Sequence, residues 1–208
     1  MNYTVDAAHI FTFFFIMLGP IKMIIPYARA TQHLDGGELR SLSLKSAALG
    51  TIIAIAGGFV GQKLLESWGI PVPVLLMGAG IIFFLVALGI VLPHPAEPVP
   101  ASEPQVPNVM QVVFPMILTP YGLAALIAFL TTSVDASRTL TVLGLLLINM
   151  VLNLLCMIFV RPILKLITPT GMQILFAVLG VLMVGLALEI IIEGARYLNI
   201  IPPMSVAG

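Results

Sequence analysis

The sequence predicts an all-α integral membrane protein: six transmembrane helices forming two inverted three-helix repeats, with the first and fourth helices broken. Three observations carry that expectation. Of 208 residues, 60% are hydrophobic and only 9% charged, with a mean hydropathy of +1.14, whereas a soluble domain carries about a quarter charged residues. Six apolar segments each reach the ~20 residues that a ~30 Å hydrocarbon core demands of a helix. Two of them are interrupted at matched places, Leu18-Gly19-Pro20 and Leu118-Thr119-Pro120.

Read between charged residues, the spans run from about Ala7 to Thr31, Ser41 to Leu65, Pro71 to Leu92, Val109 to Thr132, Thr139 to Val160 and Gly171 to Ala195. Short alternating strands are absent, which argues against a closed barrel. His94 to Asn108 is rich in proline, holds Glu97 and Glu103, and has no Lys or Arg. Such a segment is an extended, semi-rigid linker. The chain thus divides into a first three-helix unit (1–93), the linker (94–108), a second unit (109–198) and a flexible tail (199–208). Asp6 and His9 precede the first apolar run and no basic region does, so no signal peptide is expected.

The halves resemble each other at a constant offset of one hundred. Leu18, Pro20, Ala28 and Thr31 match Leu118, Pro120, Ala128 and Thr131, while Gly80, Ala87, Leu88 and Ile90 match Gly180, Ala187, Leu188 and Ile190. A duplicated unit with an odd number of spans enters the membrane in opposite senses, so the repeats are inverted. One side holds Arg29, Arg40, Lys45, Arg161 and Lys165, the other Lys63, Arg138 and Arg196. The excess of positive charge marks the first side as cytoplasmic.

A proline inside a span removes a helical hydrogen bond, and membranes tolerate opened backbone only where it is packed in protein or lines a wet cavity. Each break frees carbonyls at the end of one half-helix and N–H groups at the start of the next. The peptide dipoles favour an ammonium at the former and a carboxylate at the latter. Ile21 to Ile24 and Tyr121 to Ala124 are the candidate donors, and Pro26 and Pro115 add kinks nearby. The candidate substrate-binding set is Gly19, Pro20, Lys22, Thr119, Pro120, Tyr121 and Gly122; the bland alternative is two kinks that shape the bundle. In the second span Ser46, Gly50, Ala54 and Gly58 recur every fourth residue, with Gly57 and Gly61 beside them, a stripe suited to close helix packing.

Ionisable and amide groups inside spans carry a functional expectation by default. Lys22 either snorkels toward the surface or turns in toward the site. Asn149 and Asn153, one turn apart, suit hydrogen bonds between helices, and Glu189 suits a cation or a coupling proton; these three are the candidate polar or coupling residues. Cys156 reads as a packing residue, with no disulfide or metal-spaced set. No Gly-x-Ser-x-Gly, Walker loop or HExxH is present, and His9, His33 and His94 lack ligand spacing. No enzyme, cofactor, metal or nucleic-acid partner is therefore expected. The expected partners are the bilayer and a small zwitterionic substrate, and a homo-oligomer is compatible with the sequence.

At these residues the chain resembles the MarC family, six-span membrane proteins that include small neutral amino acid transporters. Gly19-Pro20-Ile21-Lys22, followed by Pro26 and Thr31, aligns with the family's first-span pattern. Pro115 ahead of Thr119-Pro120-Tyr121 aligns with the fourth, Gly78-Ala79-Gly80 with the third, and Gly180, Ala187, Glu189 and Gly194 with the sixth. The departures cluster at the breaks. Gly19 stands for an asparagine, Lys22 for a glycine, Thr119 and Tyr121 for the glycines flanking the fourth-span proline, and Ala177 for an arginine. The resemblance implies a multi-pass protein of the cell (inner) membrane that exports small neutral amino acids or similar zwitterions by alternating access. A scaffold or assembly subunit that keeps the fold without transport is the rival class. Lys22 and Tyr121 would narrow a glycine-lined site or change its charge preference.

Overall fold

The computed structural model describes residues 7–92, 107–133, 135–166 and 169–201, and every regular element among them is helical. In order these are α1 (Ala7–Met17), a 3-10 turn (Ile21–Met23), α2 (Ile24–Ala30), α3 (Gly36–Ser67), α4 (Val72–Val91), α5 (Val109–Gln111), a π-helical stretch (Val112–Ile117), α6 (Pro120–Thr131), α7 (Ala136–Ile158), α8 (Val160–Leu166) and α9 (Pro169–Tyr197). Among the described residues, five spans are long and apolar enough to cross a bilayer, α1 and α2 counting as one. Val109–Ile117 and Pro120–Thr131, bent by 68°, form a sixth if read as one span. Large apolar side chains such as Ile52, Leu85, Leu140 and Val181 point outward, as they must in lipid. Of the predicted linker only Pro107 and Asn108 fall within the described residues, and of the predicted tail only Asn199 to Ile201.

The second span starts earlier than the charge pattern suggested, at Gly36 rather than Ser41. Asp35 and Glu38 form a reciprocal cap: Glu38 N–H donates to Asp35 Oδ1 at 2.7 Å, and Asp35 N–H donates to Glu38 Oε2 at 3.1 Å. That satisfies two orphan donors and fixes the helix start. At 32 residues α3 is about 48 Å long at 1.5 Å per residue, so it exceeds the hydrocarbon core. Its far end closes at Gly69, whose φ of +62° lets Ile70 N–H reach the Leu65 carbonyl at 3.1 Å, a turn that favours glycine.

Small residues decide which helices approach. Along α3, Gly50 faces the Ile117 side chain, Gly58 faces Leu126 and Leu130, and Gly61 faces Ile127. The stripe therefore receives the second broken span. Gly80 of α4 abuts Ile190, Ile191 and the Ala187 carbonyl, and Gly194 of α9 abuts Met77 and the Pro73 carbonyl, which brings α4 and α9 together along their length. Gly78 and Gly185 face open space. Tyr27, fully buried, hydrogen-bonds Ser43 Oγ at 2.8 Å and pins α2 to α3. Arg161 of α8 donates to the Leu34 carbonyl, which sets the α2–α3 turn and the start of α8 at the same end of the bundle.

Candidate functional site at the paired helix breaks

The two interruptions meet. The last helical bond of α1 is Leu18 N–H to the Phe14 carbonyl, 2.8 Å. Gly19 then folds back so tightly that a Cβ there would fall on the Phe15 carbonyl, and Pro20 has no N–H to continue the ladder. In the other span Phe114 leaves helical geometry (φ −118°, ψ 125°). Leu118 and Thr119 are extended, and α6 restarts at Pro120, where a proline costs no hydrogen bond.

Thr119 is the hinge of the arrangement. Its hydroxyl caps α6 by accepting from Gly122 N–H at 3.3 Å and donates to the Met17 carbonyl at 3.1 Å across the junction. Lys22 does not snorkel: its ammonium turns inward, donates to the same Met17 carbonyl, and lies 3.4 Å from Thr119 Oγ1. It also stands 5.5 Å from the centroid of the Tyr121 ring, within reach of a cation–π attraction. Tyr121 in turn stacks on Phe83 of α4, centroids 4.8 Å apart. Asn153 Nδ2 donates to the Leu18 carbonyl at 2.6 Å. The carbonyls freed at the end of α1 are thus held by a lysine, a threonine and an asparagine from three other segments.

The candidate donors at the restarting helices are partly engaged: Gly122 with the Thr119 hydroxyl, Leu123 with the Thr119 carbonyl, and Met23 with the Pro20 carbonyl. Gly122 is also the position where the Leu18 side chain presses against the backbone, so a larger residue there would have to displace Leu18 and the Thr119 hydroxyl. Asn149 is fully buried one turn before Asn153, and neither of its amide atoms has a hydrogen-bond partner among the described residues; the same holds for Asn153 Oδ1 and Ser46 Oγ. Such groups are expensive in a membrane interior unless something polar reaches them.

A cavity of about 230 Å³ lies beside the junction. Met17 and Ala125 border it next to the breaks, Phe13 and Phe129 flank it, and Glu193 and Tyr197 line it from the last turns of α9. It therefore lies between the last turns of α9 and the helix ends flanking the breaks; Lys22, Thr119 and Tyr121 do not line it. Glu189 borders this cavity and a neighbouring one of about 280 Å³, and is exposed rather than packed in the bundle. Glu193 pairs with Arg196 at 3.2 Å. Cys156 is a free, half-buried thiol, and no cluster of metal-binding side chains occurs among the described residues.

Sequence reasoning had named the two breaks, Lys22, Tyr121 and Asn153, which the structure gathers around one carbonyl pair. Glu189 sits apart, on the cavity wall. Met17 and Phe83 were missed, because a backbone carbonyl and an ordinary apolar residue carry no signal in the sequence. Tyr27 with Ser43 was missed too, although two polar groups at helical depth, in neighbouring spans, were a signal to pair them.

Comparison with known proteins places the chain in a family. Residues 5–199 match the family described as MarC family integral membrane protein. A UPF0056 membrane protein of Buchnera aphidicola subsp. Acyrthosiphon pisum is 21% identical over 181 residues, covering 87% of this chain and 91% of the relative. A UPF0056 membrane protein of Methanocaldococcus jannaschii is 21% identical over 192 residues, covering 89% and 94%. No solved structure matches the chain. With the match running through all the spans and both breaks, the chain belongs to the MarC family of integral membrane proteins.

Proposed function

We propose that the protein is a secondary transporter that moves small carboxylate-bearing solutes, the class to which the small neutral amino acids and similar zwitterions belong. It works by alternating access, with one three-helix unit rocking against the other as inverted repeats, and serves export across the cell (inner) membrane. The observation that carries this reading is the meeting of two broken spans beside a cavity. Opened backbone at membrane depth survives only where protein or a wet path receives it, and paired half-helices at a repeat junction are how secondary transporters build a midplane site. Lys22, Thr119 and Tyr121 form the site, Gly19, Pro20, Pro120 and Gly122 shape it, Asn149 and Asn153 supply polar groups around it, and Glu189 supplies one on the cavity wall. The greater positive charge of the α2–α3 turn and of α8 favours that end as cytoplasmic. The cavity, reaching the opposite end, then faces outward.

Counterflow in proteoliposomes tests this. Vesicles loaded with a small carboxylate or neutral amino acid should accumulate the labelled solute faster than protein-free vesicles, and saturably. A scaffold subunit gives no difference for any solute of the class.

A further inference from the structure

We propose that Lys22 is the resident counter-charge of the site, so that the cargo is a small carboxylate without an ammonium group. This rests on the transport reading and names the substrate class of the same site. At a broken helix, the place for a ligand's ammonium is the set of freed carbonyls at the C-terminal end of the first half. Here the chain's own groups hold that place: the Lys22 ammonium and the Thr119 hydroxyl on the Met17 carbonyl, and the Asn153 amide on the Leu18 carbonyl. A second ammonium would meet carbonyls already engaged and a like charge beside them.

Among the described residues, the surroundings of Lys22 are uncharged. Its ammonium meets a backbone carbonyl, a hydroxyl and an aromatic ring. Among the described residues no ion pair reaches Lys22. A cation within a span needs an opposite charge to be held cheaply, and a carbonyl, a hydroxyl and a ring face supply dipoles but no charge. Lys22 is half-buried, and the Met17 carbonyl it holds belongs to a residue that borders the cavity. A carboxylate arriving at this point completes the pair through a charge-assisted hydrogen bond.

The test is equilibrium binding of labelled propionate, alanine and ethylamine to the full chain in nanodiscs. The three probes carry a carboxylate alone, both charges, and an ammonium alone. Propionate should bind at least about tenfold more tightly than alanine, the scale of one charged hydrogen bond, and ethylamine should not compete. Lys22→Met should weaken propionate binding by about tenfold or more, while Lys22→Arg, which keeps the charge, should stay within a few fold. That contrast separates a charge role from a merely structural one. Alanine binding as tightly as propionate overturns the proposal, as does propionate binding untouched in Lys22→Met, or no propionate binding at all. Flux distinguishes the two levels. Propionate binding without flux defeats the transport reading and leaves the charge assignment standing, whereas alanine flux without propionate binding does the reverse.

Discussion

Replacing Thr119 by valine keeps the shape of the side chain and removes only its hydroxyl. The backbone at 119 is extended (φ −111°, ψ 150°), a region that suits a β-branched residue, so the substitution adds no conformational penalty of its own. It deletes the cap on Gly122 N–H (3.3 Å) and the bond to the Met17 carbonyl (3.1 Å). Loss of a helix cap costs about 1 kcal/mol, and a hydrogen bond between helices in a membrane about 0.6 kcal/mol. Together they predict a destabilisation of about 1.5–2 kcal/mol. Unfolding by a denaturing detergent in mixed micelles measures it, with Thr119→Ser as the control expected within about 0.5 kcal/mol of the parent. Because the same hydroxyl joins the two breaks, flux should fall in the valine variant and persist in the serine one. A valine variant as stable and as active as the parent would refute the claim that this hydroxyl holds the junction.

Other substitutions test neighbouring parts of the structure. Gly19→Ala should destabilise by about 1–3 kcal/mol, the range for forced overpacking, since the new methyl group meets the Phe15 carbonyl; the same unfolding assay reads it. Gly194→Ala should cost a similar amount through its contact with the Pro73 carbonyl and Met77, whereas Gly185→Ala, facing open space, should change stability by no more than about 0.5 kcal/mol. Asn153→Leu should lose about 0.6–1.7 kcal/mol with the bond to the Leu18 carbonyl, and its flux should fall further than its stability predicts.

Much of the fold was legible because membranes impose simple rules. Span length and charge spacing located the crossings, and Gly19-Pro20 and Thr119-Pro120 announced the breaks because proline removes a donor wherever it stands. The α3 start was misjudged for a local reason. Spans were bounded by charges, so Asp35 and Glu38 were read as loop, although an acid followed three residues later by glutamate is a capping signal. The direction of Lys22 was not legible. It depends on Thr119, 97 residues away, and on a backbone carbonyl of α1, and no periodicity marks such a contact. The glycine stripe on α3 announced close packing but not its partner, which is set by Ile117, Leu126 and Ile127 of the second broken span.

Flux through Pro20→Ala and Pro120→Ala, each compared with the parent at matched folded fraction, tests most directly whether the paired breaks form the transport site. Alanine at 20 restores an N–H that lets the first break close onto α1 and compete for the carbonyls that Lys22, Thr119 and Asn153 hold, and alanine at 120 releases the fixed φ that starts α6. Both variants are predicted to fold with near-parental stability and to lose saturable flux of the solute the parent carries. Parental flux in both would contradict the assignment of the breaks as the site.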